Sequence, residues 1–288
     1  MRSQSAMEYL MTYGWAILVI AVVLGVLFQL GVFGNANLAP KATPGSCEVQ
    51  RTTAGTSLAG MCQGELPQYV AVFGGAANMV GSFSGGFPTN AQTPVTLSAW
   101  VYDPSNSAIA AVAAGSNSYG CTSHLYYAGL DSHDSSSTID YHGCCNDYQS
   151  TAPATFNRAD GKWHFIAISY SSSAATIAFQ VDGSYESASW AANPEIGGQT
   201  LLVGQDMCDH WYFTGDAANL QLYNTSLSQA ELLALYQEGI GGAPVRPQNI
   251  VGWWPLNGNG NDYSGNNNNL QNNGAGFTSF WSSSYSAP

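Results

Sequence analysis

Charged side chains are scarce in this sequence, and basic ones are the scarcest. Asp, Glu, Lys and Arg make up 8% of the 288 residues, and six Lys and Arg stand against 18 Asp and Glu, which gives a net charge of −12. Domains that bind nucleic acid cluster Lys and Arg to meet the phosphates. The composition therefore argues against a nucleic-acid partner. The low charge density also argues against a salt adaptation as the reason for the acidity.

Charge is missing altogether from one long stretch near the N-terminus. No Asp, Glu, Lys or Arg occurs in residues 9–40, and only Gln29 and two glycines interrupt the apolar side chains of residues 15–33. That run corresponds to about 28 Å of helix, close to the roughly 30 Å of a bilayer's hydrocarbon core. It has no polar face, so it is not an amphipathic surface helix. We expect a hydrophobic helix over residues 4–34, with residues 9–33 inserted in a membrane.

One acidic residue, Glu8, lies just before the apolar stretch and separates three interpretations. A secretory signal peptide requires a basic start, about 7–15 apolar residues and a small-residue cleavage site. Here the run is longer, the acid stands where positive charge belongs, and Asn37-Leu38-Ala39 is a poor cleavage site. An ordinary membrane anchor fits the length but leaves Glu8 unexplained, because a carboxylate near lipid is costly. The third interpretation comes from the residues around this glutamate.

Residues 2–10, Arg-Ser-Gln-Ser-Ala-Met-Glu-Tyr-Leu, resemble the class III signal peptide of archaeal type IV pilins. The resemblance implies that a prepilin peptidase removes residues 1–3 as a leader by cutting between Ser3 and Gln4. Glu8 then stands at the position where the family keeps a glutamate. In pilins the helix packs against copies of itself in a filament, and a buried carboxylate there needs a partner. The implied partner is the α-amine of Gln4 on a neighbouring subunit, which makes Glu8 an assembly residue.

The six cysteines favour disulfide bonds. An export signal implies an oxidising compartment, in which disulfides are commoner than zinc sites. Cys47 and Cys62 flank a loop in the linker expected over residues 35–66, and we expect them to pair. Sequence does not determine the pairing of the others, which are Cys121, Cys144, Cys145 and Cys208.

A zinc site is the alternative for the cysteines in the middle of the chain. The candidate ligands have the right chemistry, but no Cys-x-x-Cys or His-x-x-x-His spacing organises them, and adjacent cysteines suit a tetrahedral site poorly. They are His124, His133, Asp134, His142, Cys144, Cys145, Asp209 and His210. Loops held by disulfides are the preferred interpretation, and we expect no resident organic cofactor.

Beyond the linker, the sequence predicts short β-strands in preference to helices. β-Branched and aromatic residues recur in short segments that turn residues separate. These segments are residues 95–102, 163–170, 176–183, 200–204 and 219–224. One helix is indicated, in which Ser228 and Glu231 form a capping box and Gly239 ends the helix. Many short strands with one short helix are typical of a β-sandwich.

The same segments contain motifs of a known family. Asp160-Gly161-Lys162-Trp163-His164 and Val181-Asp182-Gly183, with Leu235-Tyr236 in the closing helix, resemble the laminin-G-like branch of the concanavalin A-like jelly rolls. The resemblance spans residues 67–243 and implies a two-sheet sandwich in which His164 is structural. The expected fold class is mainly β, with a hydrophobic helical stalk followed by this sandwich.

Two motifs of that family stand in an unusual place. Family members open with a Trp-Pro-Leu-x-Gly strand and an Asn-Asp-x-Ser-Gly turn, but here residues 254–258 and 261–265 carry these motifs after the closing helix. We therefore expect a circularly permuted sandwich that residues 244–288 complete. Its additional strands are expected at residues 250–256 and near residues 273–280.

Two turns carry a candidate ligand or modification site. Asp262 is a candidate Ca²⁺ ligand because hard oxygen ligands suit that ion, and an Asx turn is the alternative. Asn224-Thr225-Ser226 is a glycosylation sequon in a chain with an export signal.

The sequence favours a structural or binding protein over an enzyme. A glycoside hydrolase needs two carboxylates that flank the scissile bond, and two residues share a face of a strand only at even spacing. No glutamate beyond the stalk has an acidic partner at that spacing on a convincing strand, since Asp182 and Glu186 straddle a hairpin turn. A glycoside hydrolase is therefore the least favoured function.

We expect an exported, pilin-like structural subunit that assembles with itself and presents an extracellular head. Exposed aromatic rings in loops, such as Trp190, Trp211 and Tyr212, would let this head bind glycans in adhesion. The alternative is a membrane-anchored carbohydrate-binding protein that does not polymerise.

Overall fold

The chain divides into two units, Met1–Ala39, which contains a helix, and Pro40–Pro288, which contains β-sheets and a second helix. We call the second unit the head. The computed structural model describes residues 4–29, 41–83, 94–104, 109–116, 126–131, 138–141, 160–171, 173–174, 176–189, 200–205 and 212–288.

The N-terminal unit contains helix α1, Gln4–Gln29. Its described apolar side chains are exposed on every side of the helix, from Trp15 (70% exposed) to Leu24 (48% exposed). Over the residues that the structure describes, no helix is both long and apolar enough to cross a membrane. The expected continuation of α1 to residue 34 lies outside the described residues.

The head contains an eight-stranded antiparallel sheet, here called the larger sheet. Its strands are β5 (Val70–Phe73), β7 (Val95–Tyr102), β11 (Trp163–Ser171), β12 (Thr176–Val181), β13 (Ser184–Ser189), β15 (Gly215–Tyr223), β16 (Ile250–Trp254) and β18 (Gly276–Thr278). Their spatial order is β13-β12-β11-β7-β15-β5-β18, and β16 also pairs with β15. Strand β15 is therefore central, since it pairs with β7 along one edge and with β5 and β16 along the other.

A six-stranded sheet, here called the smaller sheet, forms the other layer. Its strands are β6 (Asn78–Ser82), β8 (Ile109–Ser116), β9 (Tyr126–Asp131), β10 (Thr138–Tyr141), β14 (Thr200–Val203) and β17 (Leu270–Asn273), in the order β10-β9-β8-β14-β6-β17. Two short pairs complete the head, β1 (Lys41–Ala42) with β4 (Leu66–Pro67) and β2 (Cys47–Thr52) with β3 (Gly55–Gly60).

One apolar core lies between the two sheets. Successive residues of a strand point to opposite faces, so every second side chain enters the core. Ala99 and Val101 of β7 lie in this core with Leu201 and Val203 of the smaller sheet. The intervening Trp100 faces away from the core, on the outward face of the larger sheet. The prediction of a mainly β sandwich is confirmed.

Helix α2, Gln229–Glu238, follows β15 and forms where the capping signals predict it. The Ser228 side chain accepts from the Glu231 backbone N–H, and the Glu231 carboxylate accepts in return from the Ser228 backbone N–H. Leu232 and Leu235 provide the buried side of the helix. Gly239 ends it with a φ of +79°, a conformation that favours glycine.

The C-terminal segment contributes strands to both sheets. Strand β16 pairs with β15, β17 pairs with β6, and β18 pairs with β5. Trp254, at the end of β16, is fully buried in the core. The strand expected near residues 273–280 is the shorter β18, since β17 ends at Asn273 in the opposite sheet and the chain turns at Gly274, whose φ is +93°.

The expected linker over residues 35–66 is instead part of the head from residue 40 onward. Strands β2 and β3 form a hairpin that the Cys47–Cys62 disulfide closes, with a Cα–Cα distance of 4.9 Å. The Arg51 guanidinium donates to the carbonyls of Ser264 (3.0 Å) and Ile250 (2.6 Å). These hydrogen bonds fasten the hairpin to the C-terminal segment.

Candidate functional site

The outward face of the larger sheet carries a cluster of aromatic rings. Trp100 stacks on Tyr236 of α2 with ring centroids 5.9 Å apart, and Tyr285 meets it edge-on at 5.4 Å. Trp163 meets Trp281 edge-on at 6.0 Å and donates its indole N–H to the Trp281 carbonyl at 3.2 Å. Helix α2 and the last residues of the chain therefore pack on this face.

The covering residues cross the sheet along a defined path. Thr278, the last residue of β18, pairs with Val70, and three residues later Trp281 lies against Trp163. We call residues 279–285 the C-terminal strap. Phe280 lies within this path and is 92% exposed.

One row of side chains beside the strap remains partly open, and we call it the Asp216 row. The strand register places Val72, Asp216, Tyr102 and Trp163 side by side across β5, β15, β7 and β11. Side chains that are directly opposite in neighbouring strands share one face of a sheet. Val72, Asp216 and Tyr102 are half-buried, and the Tyr102 ring lies 5.9 Å from the ring of Trp163.

Asp216 is the unusual member of this row. No hydrogen bond or ion pair joins its carboxylate to any residue that the structure describes. Burial raises the pKa of Asp216 from 3.8 to about 6. The row thus combines a partly exposed aromatic ring with a carboxylate whose hydrogen-bonding capacity is free of the described protein groups.

A second cluster joins two carboxylates through one imidazole. His164 Nδ1 lies 2.8 Å from Asp182 Oδ2, and Nε2 lies 3.2 Å from Asp160 Oδ1. Asp160 also forms a salt bridge of 3.0 Å with Lys162. Burial on its own would lower the pKa of His164, but the hydrogen bonds and charges of Asp182 and then Asp160 raise it above its usual value.

The geometry of this cluster suits a structural link, and we call Asp160, His164 and Asp182 the latch. Both imidazole nitrogens are engaged by carboxylates, and the other oxygen of Asp182 accepts from the Phe165 backbone N–H at 2.9 Å. Asp182 occupies the turn between β12 and β13 with a φ of +49°. His164 therefore ties the start of β11 to that turn. Since its ring fills the space between Asp160 and Asp182, the two carboxylates do not flank an open substrate position.

The carboxylate of Asp262 organises the turn after β16. Its Oδ1 accepts from the backbone N–H groups of Trp253 (2.9 Å) and Ser264 (2.8 Å). Its Oδ2 accepts from the Ser264 hydroxyl and the Asn268 backbone N–H, each at 2.8 Å. This is an Asx turn extended by two further bonds. Ca²⁺ at Asp262 stays a prediction; the described part of the chain holds no group of three or more His, Cys, Asp or Glu side chains placed to bind a metal.

A small cleft lies between the β2–β3 hairpin and the sandwich. Ser46, Glu65 and Trp253 are among its lining residues, and the Ser46 hydroxyl donates to Glu65 Oε2 at 3.1 Å. Its volume is about 40 Å³. That is room for ordered water and too little for a sugar ring.

The remaining predicted sites fall into three groups. The Cys47–Cys62 disulfide is confirmed. Asn224 is exposed, so its sequon is accessible, and Tyr212 is half-buried. Outside the described residues or side chains lie Ser3, Gln4, Glu8, Cys121, Cys144, Cys145, Cys208, Trp190, Trp211, and the zinc candidates His124, His133, Asp134, His142, Asp209 and His210.

Comparisons with known proteins agree on the fold. A protein of Bacteroides ovatus, described as a proposed carbohydrate-binding protein, superposes with a TM-score of 0.54 at 14% identity, over 80% of this chain and 64% of its own. The chain thus spans less than two thirds of that protein. A heptameric SAP-like pentraxin of Limulus polyphemus superposes with a TM-score of 0.53 at 13% identity, over 73% of this chain and 94% of its own.

The sequence comparisons identify the family. No curated protein sequence matches the chain significantly. The family described as the concanavalin A-like lectin/glucanases superfamily matches residues 78–233, which is more than half of the 288 residues. The chain belongs to the concanavalin A-like lectin/glucanases superfamily.

Proposed function

We propose that the chain is an exported, pilin-like structural subunit whose head binds carbohydrate at the cell surface. The main support for carbohydrate binding is that the chain belongs to a superfamily of lectins and glucanases. The same sandwich occurs in the proposed carbohydrate-binding protein of Bacteroides ovatus. A disulfide in the head fits an extracellular location.

Binding is favoured over hydrolysis by the arrangement of carboxylates. Glycoside hydrolysis uses two carboxyl groups about 5–9 Å apart on either side of the bond. Asp160 and Asp182 face each other in the head, but the His164 ring lies between them and engages both. These two carboxylates support a structural role, and the proposal assigns no catalytic residue.

The pilin-like part of the proposal concerns α1. The helix spans Gln4–Gln29 and so contains the residues that would follow a cleavage between Ser3 and Gln4 by a prepilin peptidase. Its described side chains are apolar and exposed all round, and such a surface is stable only when another apolar surface covers it. Copies of the same helix in a filament core would supply that cover, with Glu8 facing the α-amine of a neighbouring Gln4.

Processing and assembly are tested separately. N-terminal sequencing of the mature protein should begin at Gln4, and a start near Lys41 would end the pilin-like interpretation. Glu8→Ala should leave export intact and reduce filament yield, whereas Glu48→Ala, which changes an exposed glutamate of the head, should not. Absence of filaments from the unmodified protein would favour the alternative, an anchored protein that does not polymerise.

Carbohydrate binding is tested on the whole protein. The chain should be kept in a detergent without a sugar headgroup, because α1 is apolar and exposed, and applied to a glycan array. Saturable binding to at least one glycan is expected. An array without any saturable signal would reject the binding activity and leave the structural role standing alone.

A further inference from the structure

The fold gains no stability from the charge of Asp216. Its carboxylate is half-buried and has no hydrogen-bond or ion-pair partner among the described residues, so it loses hydration without compensation from them. An asparagine or a serine would fit the same outward position of β15 without that loss. A residue that opposes stability in this way marks a position where the side chain itself has a use.

The neighbours of Asp216 form a strip that a ligand can reach. Tyr102 lies on one side of it, and its ring packs against the ring of Trp163 with centroids 5.9 Å apart. Val72 lies on the other side, followed by Gly276 of β18, which has no side chain. A Cβ built at Gly276 would meet only the Val72 side chain, at 3.9 Å. Because Gly276 has no side chain, the face of the sheet beyond Val72 is accessible.

The strap carries an exposed aromatic side chain beside its contact with Trp163. Phe280 immediately precedes Trp281, whose ring contacts Trp163 at the end of the row. With 92% of its surface exposed, Phe280 is the most exposed large apolar side chain among the described residues of the head. A second aromatic ring is thus presented to solvent on the strap, one residue before the ring that meets Trp163.

From these observations we propose that the Asp216 row is the carbohydrate-binding site of the head and that it takes an uncharged, hydroxyl-rich sugar. The proposal rests on the carbohydrate binding proposed above. The apolar C–H face of a sugar ring packs on an aromatic ring such as that of Tyr102. Two neighbouring sugar hydroxyls donate to the two oxygens of Asp216, and hydrogen bonds to an ionised acceptor are the stronger kind.

Charge decides which sugars fit. A uronic or sialic acid would bring a carboxylate toward Asp216, and like charges at short range repel. The chain's net charge of −12 adds to this discrimination. Neutral mannan and galactan are therefore the matched probes, and alginate, a polymer of uronic acids, is the anionic comparison.

The experiment measures affinity and thermal stability together. The full-length protein, in a detergent without a sugar headgroup, is passed over immobilised mannan, galactan and alginate, and the neutral polymer that binds best is used for the variants. Asp216→Asn should weaken binding at least tenfold while its Tm equals or exceeds that of the unmodified protein. Tyr102→Leu, which keeps an apolar side chain, should weaken binding at least fivefold. Glu186→Gln, at an exposed position of β13, is the control and should bind within twofold of the unmodified protein.

Each of the other outcomes rejects one part of the proposal: the site, the class of sugar or carbohydrate binding itself. If the unmodified protein binds a neutral polymer and both variants bind equally well, carbohydrate binding stands and the site is wrong. If Asp216→Asn loses affinity and Tm together, Asp216 is structural and the site is again wrong. If alginate binds more tightly than both neutral polymers, the sugar class is wrong. If no glycan binds at all, the carbohydrate-binding function itself fails, and the site with it.

Discussion

Single side chains determine how the start of β11 is held against the β12–β13 turn. The imidazole of His164 sits between Asp182 and Asp160, and its charged form can donate to both. Burial would favour the neutral ring, but the two carboxylates outweigh it and the folded-state pKa is raised. A raised pKa means that folding binds the proton more tightly than the unfolded chain does.

The pH dependence of the stability that this latch provides follows from the raised pKa of His164. Its stabilisation is fully present below the unfolded pKa of about 6.5 and is lost as pH rises through the raised folded pKa. We expect His164→Gln to lower the free energy of unfolding by about 1–3 kcal/mol at pH 6. The deficit should shrink as pH rises above 6.5. Thermal unfolding of both proteins across that range checks this, and a deficit that is independent of pH would show that the proton has no part.

Asp216 makes the opposite kind of contribution at neutral pH. Burial raises its pKa to about 6 in the fold, compared with 3.8 in the unfolded chain, so the protonated form favours folding and the ionised form opposes it. Relative to Asp216→Asn, the unmodified protein should lose stability as pH rises from about 4 to 6 and then remain level. Partial exposure limits the loss to about 1–2 kcal/mol. Equal pH profiles for the two proteins would mean that the carboxylate is hydrated or paired.

At the scale of elements, Arg51 joins the β2–β3 hairpin to the C-terminal segment. Its guanidinium donates to the carbonyls of Ser264, Ile250 and, at 3.4 Å, Pro247. We expect Arg51→Ala to release the hairpin, at a cost of about 1–3 kcal/mol for charged hydrogen bonds that are lost. Hydrogen exchange of the backbone amides of β2 and β3 should then rise, while exchange in β7 should not. Gln50→Ala, at an exposed neighbouring position, is the matched control.

The disulfide acts on the same element by a different route. Cys47 and Cys62 are 15 residues apart, and closing a loop of that size restricts the unfolded chain by about 3 kcal/mol. Replacing both cysteines with serine should lower the Tm of the head. Reduction of the unmodified protein should lower it at least as much, because other disulfides are expected among the remaining cysteines. A chelator should have much less effect, and the reverse order would indicate a metal site.

The sequence predicted strands well where the pattern was regular. Residues 95–102 are rich in β-branched and aromatic residues and match β7 at both ends. Strand β15 was predicted only from residue 219, but it begins at Gly215. Small residues and a bulge between Ala218 and Gln221 interrupt its alternation. Asp216 was missed for that reason, since its position beside Tyr102 depends on strand pairing that no local pattern shows.

The hairpin and the latch were missed for related reasons. Strands β2 and β3 are mostly exposed, and Val49 is their one buried apolar side chain, so their composition is that of a linker. The latch needs Asp182, which follows β12 and reaches His164 only through the pairing of β11 with β12. Contacts between distant segments, which sequence does not display, decide both features.

The whole molecule depends on its last 45 or so residues to close the sandwich. The C-terminal segment supplies strands to both sheets, and Trp254 and Leu256 lie in the core with 0% and 1% exposure. The strap adds Trp281 and Tyr285 to the outward aromatic cluster. All of these contacts form within one chain, so the segment returns to its own sheets.

Removing residues 244–288 should therefore prevent the head from folding. β15, β5 and β6 would each lose a neighbouring strand, which exposes unpaired backbone groups and the apolar surface that Trp254 covers. We expect residues 40–243 to be insoluble, or to be compact without cooperative unfolding, whereas residues 40–288 melt cooperatively. A chain that lacks only the exposed residues 286–288 should behave like the complete head. A soluble 40–243 fragment with a sharp melting transition would show that the C-terminal strands decorate a sandwich that is already complete, and the permuted arrangement would not be required for folding.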